Sequence, residues 1–66
     1  MTNKPITVNQ HDMPNIALIA KSNKGIKVAS KQFSVKTHDM HRAVAEGRKY
    51  VKLGCMVEIF MPRGSV

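Results

Sequence analysis

Apolar and polar residues alternate cleanly between residues 15 and 22. Ile16, Leu18 and Ala20 fall on one face, and Ala17, Ile19 and Lys21 fall on the other. A period of two predicts a β-strand there. The next three residues, Asn23-Lys24-Gly25, read as a tight turn in which Asn and Gly supply the positive φ angles that hairpins need. The return strand is predicted over 26–36, but its two apolar pairs, Ile26/Val28 and Phe33/Val35, are out of phase. One extra residue near Ala29 to Lys31, a β-bulge, would bring both pairs to the same face.

The period then changes. Met40, Ala43, Val44, Gly47, Tyr50 and Val51 recur at the three-and-four spacing of a buried helical stripe. Thr37 is the expected N-cap, with Asp39 in the first turn where the helix dipole favours negative charge. Lys49 and Lys52 suit the other end, and Gly54 is a natural terminator, so the helix is predicted over about 38–53. Gly47, in the middle of the stripe, costs on the order of 1 kcal/mol against Ala in a helix. Close approach of the helix to a sheet would explain it. Residues 55–61, Cys-Met-Val-Glu-Ile-Phe-Met, form the last predicted strand, ended by Pro62 and Gly64.

The fold class expected from this order is α+β, a ββαβ unit. A right-handed crossover through the helix sets the last strand beside the first. The result is a three-stranded antiparallel sheet, order 2-1-3, with one helix packed on one face. Residues 15–66 make the single domain. Residues 1–14, polar and carrying Pro5 and Pro14, read as an extended lead-in; Ile6-Thr7-Val8 can add a short edge strand, which Asn9-Gln10-His11-Asp12 should end. One helix cannot cover both faces of a sheet. The uncovered face receives Ile19 together with either Met56 and Phe60 or Val57 and Ile59, unless the N-terminal segment folds across it. Such a face is a candidate interface, centred on Ile19 and Phe60, and points to a possible homodimer.

Charge changes the picture more than any motif. Eleven Lys and Arg stand against four Asp and Glu in 66 residues, a formal +7 with a pI near 10.1. Residues 21–52 hold nine of those cations and only Asp39 and Glu46 as acids, so the excess lies inside the folded part. An anionic partner is implied, either nucleic acid or an acidic protein surface. The candidate contact residues are Arg42, Arg48, Lys49 and Lys52 on the outer helix face, with Lys21, Lys24 and Lys27 on the hairpin. Cys55 is the only cysteine, so no intramolecular disulfide can form and a reducing, cytoplasmic compartment is expected. No apolar run approaches the roughly 18 residues of a membrane span, and the N-terminus leads into no apolar signal segment.

Catalytic and cofactor chemistry finds little to stand on. His38 and His41 at a helix start lack the convergent ligands and spacing of a zinc site. Cys55 reads as a core thiol rather than a nucleophile beside a base. Glu46 lies four residues after Arg42, the ordinary spacing of a helical ion pair. Gly25, Gly47, Gly54 and Gly64 are too far apart for a phosphate-cradling loop. The expectation is a protein that is no enzyme, takes no cofactor, metal or small-molecule substrate, and works by binding.

Residues 15–61 combine a hairpin, a helix opening on Thr37-His38-Asp39-Met40-His41-Arg42-Ala43-Val44, and a strand. In element order and size this resembles small phage-encoded proteins that bind host machinery, among them inhibitors of host RNA polymerase and some anti-CRISPR proteins. The resemblance implies a protein target and no catalysis, and it carries over no functional residue. The strong positive charge departs from the acidic, DNA-mimicking members of that group. Two functions are thus expected in parallel: a basic module for nucleic acid or a nucleic-acid complex, and a protein–protein inhibitor of a nucleic-acid-handling or defence enzyme. Phe33, Tyr50 and Phe60, the only aromatics besides histidine, all fit the core, which counts against base stacking on single strands.

Overall fold

The computed structural model describes residues 5–63. Five elements follow one another: β1 (Ile6–His11), β2 (Ile16–Lys21), β3 (Lys27–Phe33), α1 (Thr37–Lys52) and β4 (Met56–Pro62). The α+β class and the single helix agree with the sequence. The sheet has four strands instead of three, in the order β1-β4-β2-β3. It is mixed, since β2 is antiparallel to both β3 and β4 while β1 lies parallel to β4.

The three strands expected from the alternation keep their expected order, with β2 between β3 and β4. The correction lies in the lead-in. Ile6-Thr7-Val8 does start a strand, but it continues through His11, where residues 9 to 12 were expected to end it. Ile6 and Val8 share the helix-side face with Gln10, while Asn9 and His11 pair with Phe60 and Pro62 on the other side. A parallel edge strand of this kind needs little buried surface of its own. Ile6 alone reaches the core, so the polar residues after it do not break the strand.

Packing concentrates on β2 and β4. Ile16, Leu18 and Ala20 from β2, Val57 and Ile59 from β4, and Ala43 from α1 are all buried. Burying each of the larger side chains contributes about 1.5–3 kcal/mol. The register sets Leu18 beside Ile59 and Ala20 beside Val57, so the two strands present one continuous apolar surface to the helix. The helical stripe is as the spacing requires: Ala43 and Gly47 are buried, and Met40, Val44, Tyr50 and Val51 pack at their flanks.

Four local details differ from the sequence reading, each for a physical reason. The β2–β3 irregularity falls where Ala20 pairs with Ala29 and Lys21 with Lys27, which leaves Val28 as the extra residue instead of one of 29–31. It does not bury the Ile26/Val28 pair; both side chains are exposed. The hairpin turn takes positive φ only at Gly25 (+82°), and Asn23 does not share that role. Its closing bonds run from Gly25 N–H to Ser22 O (2.9 Å) and from Ser22 N–H to Ile26 O (2.8 Å), a three-residue loop ending in a left-handed glycine. Thr37 is the first helical residue and Lys36 the N-cap, with no side-chain cap. Asp39 instead accepts a hydrogen bond from the Ser34 hydroxyl, which ties the helix start to the preceding loop and holds the Asp39 carboxyl below its ordinary range. Phe60, finally, does not join the core: it lies on the open face, half-buried, with its ring centroid 5.9 Å from that of His11.

The helix ends as expected. Gly54 adopts φ +90°, and the N–H groups of Gly54 and Cys55 bond to Val51 O and Tyr50 O at 3.0 Å each. This pair of bonds closes the last turn and redirects the chain into β4.

Gly47 tests the packing. A Cβ placed there would stand 3.2 Å from Val57 Cγ1, 3.6 Å from Ile6 Cδ1 and 3.7 Å from Leu18 Cδ1. Gly47→Leu should therefore destabilise the domain by about 1–3 kcal/mol in urea unfolding, although Leu gains on the order of 1 kcal/mol of intrinsic helix propensity. A variant as stable as the unmutated protein would mean that the helix does not sit on the sheet at this point.

Candidate functional site

The register brings most of the sequence-predicted cations to one end of the molecule. Lys21, the last residue of β2, pairs with Lys27 on one side and with Met56, the first residue of β4, on the other. The turn beyond Lys21 carries Lys24. Helix α1 ends at Lys52, and only Leu53, Gly54 and Cys55 separate it from Met56. The hairpin turn and the C-terminal turn of α1 therefore share an end, with Lys21, Lys24 and Lys27 on the hairpin and Lys52 on the helix, and Arg48 one helical turn before Lys52. Lys49 lies instead with Arg42, Glu46 and Phe33 along the β3 flank. Arg42 does not reach the hairpin end. It lies ten residues before Lys52, about 15 Å along the helix axis.

Ion pairing sorts these residues further. Asp12 pairs with Arg63 at 3.0 Å, Asp39 with Arg42 at 3.5 Å, Glu58 with Lys21 at 3.7 Å, and Glu46 with Lys49 at 3.2 Å as well as with Lys31. Each of the four carboxylates in the chain is thus engaged. Among the described residues, none lies within ion-pair distance of Lys24, Lys27, Arg48 or Lys52. All four of these cations are exposed and lie towards the hairpin end; Lys36, at the start of α1 and so at the opposite end, is likewise exposed and outside the ion pairs. Exposed ion pairs are worth about 0–1 kcal/mol, so Lys21 and Lys49 remain available to a competing anion.

The same end carries apolar surface. Leu53 is 75% exposed and Ile26 is 63% exposed, with Val28 and Met56 nearby in the register. Next to the turn, Thr7, Lys21, Ser22, Asn23, Gly25, Met56, Val57 and Glu58 line a shallow pocket of about 280 Å³. Nothing in the alternation pattern marks Met56 as a neighbour of the hairpin; it follows from the register between β2 and β4, which sets it beside Lys21.

Ile19 and Phe60 both stand on the sheet face away from the helix, so of the two sets left open for the last strand it is Met56 and Phe60 that take this face. That face is less apolar than the sequence suggested. Ile19 pairs with Glu58 on one neighbour and Ser30 on the other, while Phe60 pairs with Asn9 and Ala17. Val57 and Ile59 take the helix side, so Met56, Glu58 and Phe60 are the residues of β4 left on the open side. Of the lead-in, Ile6–His11 joins the sheet at its edge and does not fold across this face; residues 1–4 lie outside the described residues.

Among the described residues, no group of three His, Cys, Asp or Glu side chains is placed to hold a metal ion. His11 accepts or donates through Nε2 at 2.6 Å from Asn15 O, a contact that steadies the β1–β2 connection. Cys55 is a free, half-buried thiol packed against the core. No helix among the described residues is long and apolar enough to cross a membrane. Comparison with known proteins finds no matching family model, no matching curated protein and no matching solved structure.

Glu46 is the electrostatic hub of the helix flank. Hydrogen bonds from Lys31 first, and then from Lys49, hold its carboxyl below the usual glutamate range, and the same contact raises Lys31 above the usual lysine range. Lys31 also lies 5.8 Å from the Tyr50 ring centroid. A carboxyl with a lowered folded-state pKa contributes its stabilisation above the ordinary glutamate range and loses it as pH falls through the lowered value. An NMR titration of the Glu46 carboxyl should therefore show a midpoint below that of an ordinary glutamate. Lys31→Ala should raise the midpoint more than Lys49→Ala. A midpoint unmoved by either substitution would mean that the ion pairs do not persist in solution.

Proposed function

We propose that this protein is a small, non-enzymatic binding module that grips an anionic partner, nucleic acid or a nucleic-acid complex, with its hairpin end. The observation that carries the reading is that Lys24, Lys27, Arg48 and Lys52 lie towards one end of the molecule, without carboxylate partners among the described residues, with Lys21 at the same end. Four exposed cations displayed by two rigid elements can meet successive phosphates. The C-terminal end of the helix dipole is offset locally by Lys49 and Lys52. Arg42, paired with Asp39 and a few turns away, plays a lesser part in this contact. The single cysteine suits a reducing, cytoplasmic setting.

A second reading has one observation in its favour. Leu53 and Ile26 are largely exposed next to the cations, and phosphate contacts do not require apolar neighbours. A basic rim around an apolar centre suits an acidic protein surface, as expected of an inhibitor of a host nucleic-acid-handling or defence enzyme.

Salt separates the two. Each phosphate neutralised on duplex DNA contributes about −0.9 to the slope of log affinity against log salt. Contacts by Lys24, Lys27, Arg48 and Lys52 predict a slope of roughly −3 to −4 for generic duplex DNA. Arg48→Ala combined with Lys52→Ala should make it shallower by about two units and weaken all sequences alike. An unchanged slope in that double variant would move the contact to the hairpin lysines. No binding to duplex DNA or RNA at low salt overturns the nucleic-acid reading and leaves the protein partner, whose association rate rather than stoichiometric slope would respond to salt.

A further inference from the structure

The two edges of the sheet are built differently. β3 carries Lys27 and Lys31 and the irregularity at Val28, the usual features that blunt an edge against pairing. β1, Ile-Thr-Val-Asn-Gln-His, has no Lys, Arg, Asp or Glu, no proline and no irregularity in its register. Helix α1 does not extend over the far part of this edge. Val8 is 56% exposed there and lines, with Gln10, Met61 and Pro62, a hollow of about 520 Å³.

The backbone bonds show which groups of β1 are free. Val57 N–H donates to Pro5 O at 2.8 Å, and Arg63 N–H donates to His11 O at 2.7 Å. With Ile6 beside Val57 in a parallel ladder, these bonds turn the odd-numbered residues of β1 towards β4. The N–H and C=O groups of Ile6, Val8 and Gln10 therefore project from the edge of the sheet.

We propose that this edge pairs with the same edge of a second copy, antiparallel and across a two-fold axis at Val8. That register gives the longest overlap in which outward-facing residues meet each other. Val8 lies beside Val8 of the second copy and Ile6 beside its Gln10, which makes about six backbone hydrogen bonds from three closely spaced pairs. The two exposed Val8 side chains cover one another, and no charged side chain within the strand opposes the contact. The antiparallel arrangement also turns the two hairpin ends in opposite directions, so the concentrated cations of the copies are kept apart. Pairing through the open face would instead bury Lys21, Glu58, Asn9 and Gln32 around Ile19. The contact is small, so the dimer is weak and depends on concentration. The proposal stands independently of what the hairpin end binds.

Sedimentation equilibrium of the whole chain should show a monomer–dimer equilibrium. Val8→Lys sets like charges opposite each other on an exposed position and should raise the dissociation constant at least about tenfold. The matching change on the other edge, Val28→Lys, should leave it unaltered. In a Cys55→Ser background, Val8→Cys should form an interchain disulfide under mild oxidation, because closely paired residues have Cα atoms about 5.5 Å apart. Asn9→Cys, which faces Thr7 of the second copy in this register, should not. A monomer at the highest soluble concentration, a dimer insensitive to Val8→Lys, or equal cross-linking from residues 8 and 9 each overturns the proposal.

Discussion

The helix approaches the sheet most closely at Gly47, where even a Cβ would crowd Val57 Cγ1 at 3.2 Å. Val57, Leu18 and Ile6 come from three adjacent strands; Val57 would crowd a Cβ there, and Ile6 and Leu18 would stand in ordinary contact with it. That one approach fixes several things together. It sets the helix axis over β4 and β2, buries Ala43 one turn earlier, and gives Ile6 the apolar neighbours that hold β1 in the sheet. A domain with so little interior has few such anchor points, so the loss of helix propensity at this residue is offset by packing along the whole apolar stripe.

Charge is arranged around this core with a simple logic. The four carboxylates are spread along the chain, and each sits beside a cation: Asp12 and Asp39 at one end, Glu46 along the helix flank, Glu58 on the open face. Neutralisation is thus local, and among the described residues the cations left without a carboxylate are Lys36 at the helix start and four towards the hairpin end. A field of one sign over a limited area favours encounter with a polyanion before any close contact forms.

The parts of this arrangement governed by short-range pattern were legible in the sequence. Strict alternation identified β2, and the spacing from Met40 to Val51 identified the buried side of α1. Gly54 marked the helix end because only a left-handed residue closes that turn. The fourth strand was legible only at its start, Ile6-Thr7-Val8, because β1 buries a single apolar residue and otherwise displays Val8 and polar side chains. Its strand character comes from pairing with β4, some fifty residues away. The cap at Thr37 failed for a related reason: the Ser34–Asp39 bond supplies a different tether for the helix start, and no spacing rule announces it. The candidate site was half legible. Its lysines and arginines could be named, but their separation into paired and unpaired sets depends on which carboxylates the fold delivers to them.

The position of β4 has a further consequence. It is an interior strand, bonded to β1 on one side and β2 on the other, yet it is made from residues that follow every other element in the chain. The hairpin and the helix can begin to form from neighbouring residues and touch each other through Leu18, but Val57 and Ile59 complete the core only when that last segment arrives. A short isolated helix and a lone hairpin are each marginal in water. Folding of this protein is therefore an all-or-none event governed by a long loop closure. During synthesis the chain gains almost no protection from proteases until β4 has emerged and slotted between strands that precede it.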